Sequence, residues 1–201
     1  ETRYLLAITY TDTENTYVYR QEADGRLTEI PIQWKAKEGG VPGTESSYIY
    51  GVAVLDNGDF VFQQMGMGIV QYGSDGTFRR TLGGPRHADY GIASAGNSIY
   101  AVNEETSAVE CYDGESGQLL RSIPYESTLQ EMMLFCDADG SLCMSSRSGI
   151  FYMAAGGELW ERVVDATITS LSVPSLYFSN LSMAKSEQGD VYYLYGSNMQ
   201  E

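Results

Sequence analysis

The chain has 201 residues and a mass of 22.2 kDa, is 43% hydrophobic, and carries a formal net charge of −15 from 27 acidic and 12 basic side chains. That length supports a single domain with a sizeable core, and the hydrophobic content argues against disorder. The acidic surplus disfavours nucleic acid and anionic membrane surfaces as partners, and no run approaches the roughly 18 apolar residues of a membrane span.

Glycine (22) and tyrosine (16) are frequent and proline (5) is scarce, a mix that suits short strands joined by tight turns. No signal-peptide core is present, so export would require a targeting segment already removed from this chain. The three cysteines, Cys111, Cys136 and Cys143, are odd in number and form no CxxC pair. Cys136 and Cys143 flank the Asp139-Gly140 turn and could face each other across a hairpin, although buried free thiols are the commoner state.

In chain order, the first unit (about 3–34) reads as strands at Tyr4–Tyr10, Tyr17–Arg20 and Leu27–Ile32, with turns at 12–15 and Asp24-Gly25. An irregular loop, 35–47, carries Gly-Gly and Pro-Gly breakers. The second unit (about 48–83) has four short strands, Gly51–Leu55, Phe60–Gln63, Ile69–Tyr72 and Thr77–Leu82. Its turns hold Asn57-Gly58, the 65–68 Gly-rich segment and Asp75-Gly76, strong hairpin signals between β-branched and aromatic runs. The third unit (about 89–124) repeats this with Gly91–Ser94, Ser98–Val102, Ala108–Tyr112 and Gln118–Ile123. The fourth (about 130–165) has Met132–Phe135, Leu142–Met144, Ile150–Met153 and Leu159–Val163. The fifth (about 176–201) is incomplete, with Leu181–Ala184 and Asp190–Tyr195. Helical periodicity is nearly absent, and Ser127–Phe135 is placed by the repeat as a loop entering a strand.

The turn before each last strand carries Gly25, Gly76, Gly117 and Gly157, at intervals of 51, 41 and 40 residues. The long first interval absorbs the 35–47 loop. A four-stranded repeat of about 40 residues is a β-propeller blade, and blades with two apolar faces must stack. Gly51, Ala53, Gly91 and Ala93 suit first strands crowded around an axis. The expected architecture is all-β and propeller-like, with four to five four-stranded antiparallel blades and an incomplete or open ring.

Gly51-Val52-Ala53-Val54, Asn57-Gly58, Phe60-Val61-Phe62, Ile69–Tyr72 and Asp75-Gly76 together resemble the NHL-type β-propeller repeat. The third unit follows it through Gly91-Ile92-Ala93, Ile99–Val102, Val109, Tyr112 and Gly117; the others match loosely. The resemblance implies a propeller and leaves function open among scaffolds, ligand sensors, lactonase-like hydrolases and lyases. The family closes its ring with one blade built from both termini. Here three strands at the start and two at the end exceed that need by about one, which suggests a displaced strand or a longer chain. A bacterial surface lipoprotein is the nearest analogy, so an extracellular or cell-surface location is expected, with a cytoplasmic one left open.

In a propeller the inter-blade loops and the loops between second and third strands share one face, where ligand sites gather. Those loops supply the candidate ligand-binding residues Arg86, His87, Asp89, Tyr90, Glu104, Glu105, Tyr125 and Arg147. His87, the only histidine, could serve as general base or metal ligand with Asp89, though an exposed loop histidine needs no chemistry to explain it. One histidine without His or Cys partners makes no zinc site. Glu104, Glu105, Asp89 and Glu126 could join backbone carbonyls around calcium, while Asp137–Gly140 lacks the later ligands of a calcium loop. GxSxG, P-loop and HExxH motifs are absent. Tyr48, Tyr50, Tyr72, Tyr90, Tyr125 and Tyr177 fall at strand ends or loops, where exposed rings could stack on sugars or grip peptides. Tyr100, Tyr112, Tyr152 and Tyr192 alternate into strands as core.

The expected function is a non-catalytic recognition or scaffold module of an exported or surface protein, binding a protein, peptide or carbohydrate and needing no cofactor. A further domain of the same chain is a possible partner. The alternative is a propeller hydrolase or lyase with an axial site around His87.

Overall fold

The structure, a computed structural model, describes residues 3–10, 14–35, 49–64, 66–84, 87–129, 132–137, 139–146, 149–165, 181–185 and 191–195. A three-stranded sheet, β1 (Arg3–Tyr10), β2 (Glu14–Gln21) and β3 (Leu27–Ile30), comes first. Three four-stranded antiparallel meanders follow. They are β4 (Ile49–Val54), β5 (Phe60–Gln64), β6 (Gly68–Tyr72) and β7 (Phe78–Gly83); β8 (His87–Ala95), β9 (Ser98–Asn103), β10 (Ala108–Asp113) and β11 (Leu119–Pro124); and β12 (Met133–Cys136), β13 (Leu142–Ser146), β14 (Gly149–Met153) and β15 (Glu161–Asp165). A two-stranded sheet, β16 (Leu181–Lys185) and β17 (Val191–Tyr195), is last. The described residues contain no helix, and the all-β, propeller-like reading holds. Among the described residues β1 pairs with β2 alone. Residues 36–47 of the expected irregular loop lie outside the described residues, as do Tyr48 and Tyr177.

One turn recurs at Glu22–Arg26, Leu55–Asp59, Gly73–Thr77 and Asp137–Ser141. The first residue donates its N–H to the fifth carbonyl, and the glycine in fourth place donates back to the first carbonyl, all at 2.8–2.9 Å. That glycine has φ between +82° and +85°, and the Asp or Asn before it accepts the fifth N–H at 2.9–3.0 Å. The Asp-Gly and Asn-Gly pairs therefore encode the hairpins directly: glycine takes the left-handed position and the Asx side chain satisfies an orphan donor.

Period-two alternation sends successive residues of each strand into different interfaces. Phe60, Phe62, Val70 and Tyr72 pack back onto Val18 and Ile30 of the first sheet and Trp34 just after it. Val61 and Ile69, their neighbours, pack forward with Ala53 and Leu55 onto Ile92, Ile99, Ala101 and Tyr112 of the third. Tyr100, Val102, Val109 and Cys111 turn the other way, onto Leu134, Leu142, Met144, Phe151 and Met153 of the fourth. The first strand β8 lies against both β4 and β12, and β4 and β8 carry the small residues Gly51, Ala53, Gly91 and Ala93 expected of crowded inner strands.

Two tyrosine expectations are corrected. Tyr72 is fully buried, its ring 5.6 Å from Trp34 and 5.7 Å from Phe62, because it lies on the back face of β6. Tyr152 is 39% exposed, because in β14 it points away from the third blade while Phe151 and Met153 fill that interface. Cys136 and Cys143 do not face each other. The register pairs Phe135 with Cys143 and Cys136 with Leu142, so the two thiols sit on opposite sheet faces, and all three cysteines are free. Cys136 is only half-buried, yet burial, and then the charges of Asp137 and Asp139, push its thiol up to about 12.

Phe62→Ala empties a site packed by Trp34, Phe60 and Tyr72, and denaturant unfolding should show a loss of about 3–5 kcal/mol. Gly25 and Gly76 occupy the same turn position, but an added Cβ meets nothing at Gly25 and collides with the Pro31 carbonyl at Gly76. Gly25→Ala should therefore cost about 1–2 kcal/mol for backbone strain, and Gly76→Ala measurably more. In a disulfide-exchange titration at neutral pH, Cys111 and Cys136 should stay silent in the native protein and react after denaturation.

Candidate functional site

The end of the third blade that carries the β9–β10 turn is built around Asn103, the last residue of β9. Its Oδ1 accepts the N–H groups of Glu105 at 3.0 Å and Thr106 at 3.3 Å, which closes the turn as an Asx cap. Its Nδ2 donates to Glu110 Oε1 at 2.9 Å, and its carbonyl accepts the Tyr125 hydroxyl at 3.3 Å. Ser107 completes the turn at φ +51° and accepts the Tyr125 N–H at 2.9 Å. One residue thus ties the turn, the buried face of β10 and the chain leaving β11.

The result is a fixed turn presenting Glu104, Glu105 and Thr106 to solvent. Beside it Tyr125 is half-buried, and burial, then the charge of Glu104, pushes its hydroxyl up to about 12. Tyr125 is therefore a neutral donor at physiological pH. Beneath the turn the Glu110 carboxylate, 8% exposed, accepts the Tyr112 hydroxyl at 2.5 Å, which together with Asn103 compensates its burial. Burial, and then Glu110, raises the Tyr112 hydroxyl above its ordinary value.

Of the residues expected here, Glu104, Glu105 and Tyr125 come together. His87, Asp89 and Tyr90 are described by backbone alone. The ladder sets His87 opposite Asn103, and the register then slips until Ile92 pairs with Ala101, so residues 88–91 form a bulge at the same blade end. Arg86 and Arg147 lie outside the described residues. Glu126 is exposed, and among the described residues no group of three His, Cys, Asp or Glu side chains could hold a metal ion. No helix of the described residues is long and apolar enough to cross a membrane.

Asn103 and Glu110 escaped the sequence reading. An Asn closing a strand before Glu-Glu-Thr is an Asx-turn signal, but only the packed blade shows that its amide also reaches the next strand. A cleft at the opposite blade end, between the third and fourth blades, also escaped it.

No protein-family model matches the chain, and no curated protein matches it in sequence. Solved structures match in fold. A gluconolactonase from Xanthomonas campestris, XC5397, superposes with a TM-score of 0.60 at 12% identity, over 89% of this chain and 62% of that one. YCF48 bound to D1 peptide gives 0.57 at 10% identity, over 88% and 54%. The nidogen/laminin complex gives 0.51 at 13% identity, over 82% and 62%. The chain spans 54–62% of the length of these three. They are β-propeller proteins, and at such identities the likeness is one of fold. The sheets, their alternating cores and these superpositions identify the chain as a β-propeller protein.

Proposed function

We propose that the chain is a non-catalytic binding or scaffold propeller of an exported or cell-surface protein, and that its partner is a protein or peptide. The partner docks on the blade end bearing Glu104, Glu105 and Tyr125. The observation that carries this reading is the Asn103-pinned turn: two exposed carboxylates held by three side-chain hydrogen bonds of one residue on a rigid sheet. A preorganised turn loses little conformational entropy when it is covered.

Charge suggests the partner's character. With 27 acidic against 12 basic side chains, the surface draws cationic segments and repels anionic ones. Tyr125 adds a flat ring with a neutral hydroxyl, suited to a peptide backbone or a sugar. The similarity to YCF48 bound to D1 peptide and to the nidogen/laminin complex supports a macromolecular partner through shared fold. No cofactor enters this reading.

The test is an array of extended peptides of varied charge, followed by titration of the best binder. Lys- and Arg-containing peptides should bind, more weakly as ionic strength rises, and the Glu104→Gln/Glu105→Gln double variant should lose about tenfold or more in affinity. Equal binding of neutral and basic peptides, untouched by that variant, would refute the reading. Lactone hydrolysis abolished by His87→Ala would instead establish the hydrolase alternative.

A further inference from the structure

The internal repeat allows one blade junction to be compared with the next. Phe60 pairs with Tyr72 in the second blade and Ile99 with Tyr112 in the third. Asp59 and Ser98, each one residue before, are therefore equivalent positions, as are Gln71 and Cys111. All four lie on the face turned toward the following blade.

In the second blade those positions fill the junction. Gln71 Nε2 donates to Asp59 Oδ2 at 2.9 Å and across the junction to the Gly114 carbonyl at 2.7 Å. Arg79 Nη2 stands 3.0 Å from Asp59 Oδ1, an ion pair whose angle is not that of a hydrogen bond. Asp59 is 1% exposed and Gln71 fully buried. An inward-facing carboxylate is thus matched by an amide and a guanidinium.

In the third blade the same positions hold a serine and a cysteine, both too short to cross. A cleft of about 460 Å³ opens in consequence, walled by Ser98, Tyr100, Cys111, Leu120 and Arg121. The opposite wall is formed by two turns of the fourth blade, where Gly140 and Gly156 have positive φ and leave their rims bare. A guanidinium stands at this junction too, from Arg121, which the ladder aligns with Arg80, while Leu120 aligns with Arg79. Arg121 Nη1 donates to the Gly157 carbonyl at 3.1 Å, and the group acts electrostatically on the neighbouring Tyr100 hydroxyl and Cys111 thiol. A guanidinium has five donors, and these contacts leave some unused. What the cleft lacks is a carboxylate at the position of Asp59, where Ser98 stands.

We propose that this cleft binds a small organic carboxylate, whose charged end takes the place that Asp59 holds in the preceding junction. The Arg121 guanidinium receives it, Tyr100 lies within the same wall, and the apolar remainder rests on Leu120, which is 57% exposed. Asp139 shares the rim, but its Oδ1 accepts the Ser141 N–H at 2.9 Å and hydroxyl at 2.7 Å. A singly charged ligand suits one guanidinium in a chain of net charge −15 better than a phosphate. The thiol plays no covalent part, since burial holds Cys111 above its ordinary value. The cleft is of ligand-site size and lies at the blade end opposite the Glu104 turn, so this proposal is independent of the peptide-binding one.

Benzoate is the probe, titrated into the full chain by two-dimensional amide NMR up to about 20 mM, with acetate and inorganic phosphate alongside. Saturable shifts should concentrate on Tyr100, Cys111 and Arg121, with phosphate weaker. Arg121→Gln should weaken benzoate at least tenfold. Ser98→Asp, which restores the internal carboxylate and leaves the arginine in place, should abolish binding even if Arg121→Gln folds poorly. Leu120→Ala should weaken benzoate several-fold and leave acetate unchanged. Shifts that do not saturate, that persist in Ser98→Asp, or that are stronger for phosphate would overturn the assignment.

Discussion

Every four-stranded sheet in this chain is apolar on both faces, and no sheet in water can leave two such faces exposed. Val61 and Phe62 are adjacent in one strand and both fully buried, yet they belong to different cores. Only face-to-face stacking satisfies this, with each blade lending alternate residues to the blade before and the blade after. The small residues of β4 and β8, Gly51, Ala53, Gly91 and Ala93, follow from the same constraint, since inner strands of stacked blades crowd together. Stability is therefore shared between blades, and a truncation such as that at Phe62 acts on two sheets at once.

Hydrophobic stacking leaves the angular position of each blade soft, and polar contacts at the blade ends set it. Ser94 Oγ donates to the Val54 carbonyl at 2.9 Å, Asp56 N–H to the Gly96 carbonyl at 3.1 Å, and Gln71 to the Gly114 carbonyl, all between the second and third blades. Lys35 N–H donates to the Tyr72 hydroxyl at 3.0 Å, and that hydroxyl donates to Gln64 at 2.7 Å. Between the third and fourth blades Arg121 makes the corresponding link to Gly157. Buried polar groups of this kind are specific because leaving any one unpaired is costly.

The two ends of the blades then diverge in use. One end carries turns whose geometry is fixed from within, Asn103 being the clearest case, and so offers rigid, charged side chains outward. At the other end the repeat itself varies, and a large polar pair in one junction is replaced by a small pair in the next. A repeat fold permits this because each junction is a nearly independent interface, so one can be sealed while its neighbour stays open.

Much of the fold was legible in the residues alone. Asp-Gly and Asn-Gly at Gly25, Gly58, Gly76 and Gly140 specify hairpins through local backbone chemistry, and the glycine spacing near 40 residues specifies repeated blades. Those signals are local or periodic, so no long-range knowledge is needed to read them. Which face a residue takes depends instead on register and on the neighbouring blade. For that reason Tyr72 and Tyr152 exchanged their expected roles, and Cys136 and Cys143 fell on opposite faces. The binding turn was half visible, since Glu104, Glu105 and Tyr125 could be placed on one blade end, while the Asn103 bonds that order them required the packed sheet. The cleft around Arg121 was invisible in sequence, because a serine and a cysteine become a vacancy only when the blade they fail to reach stands opposite them.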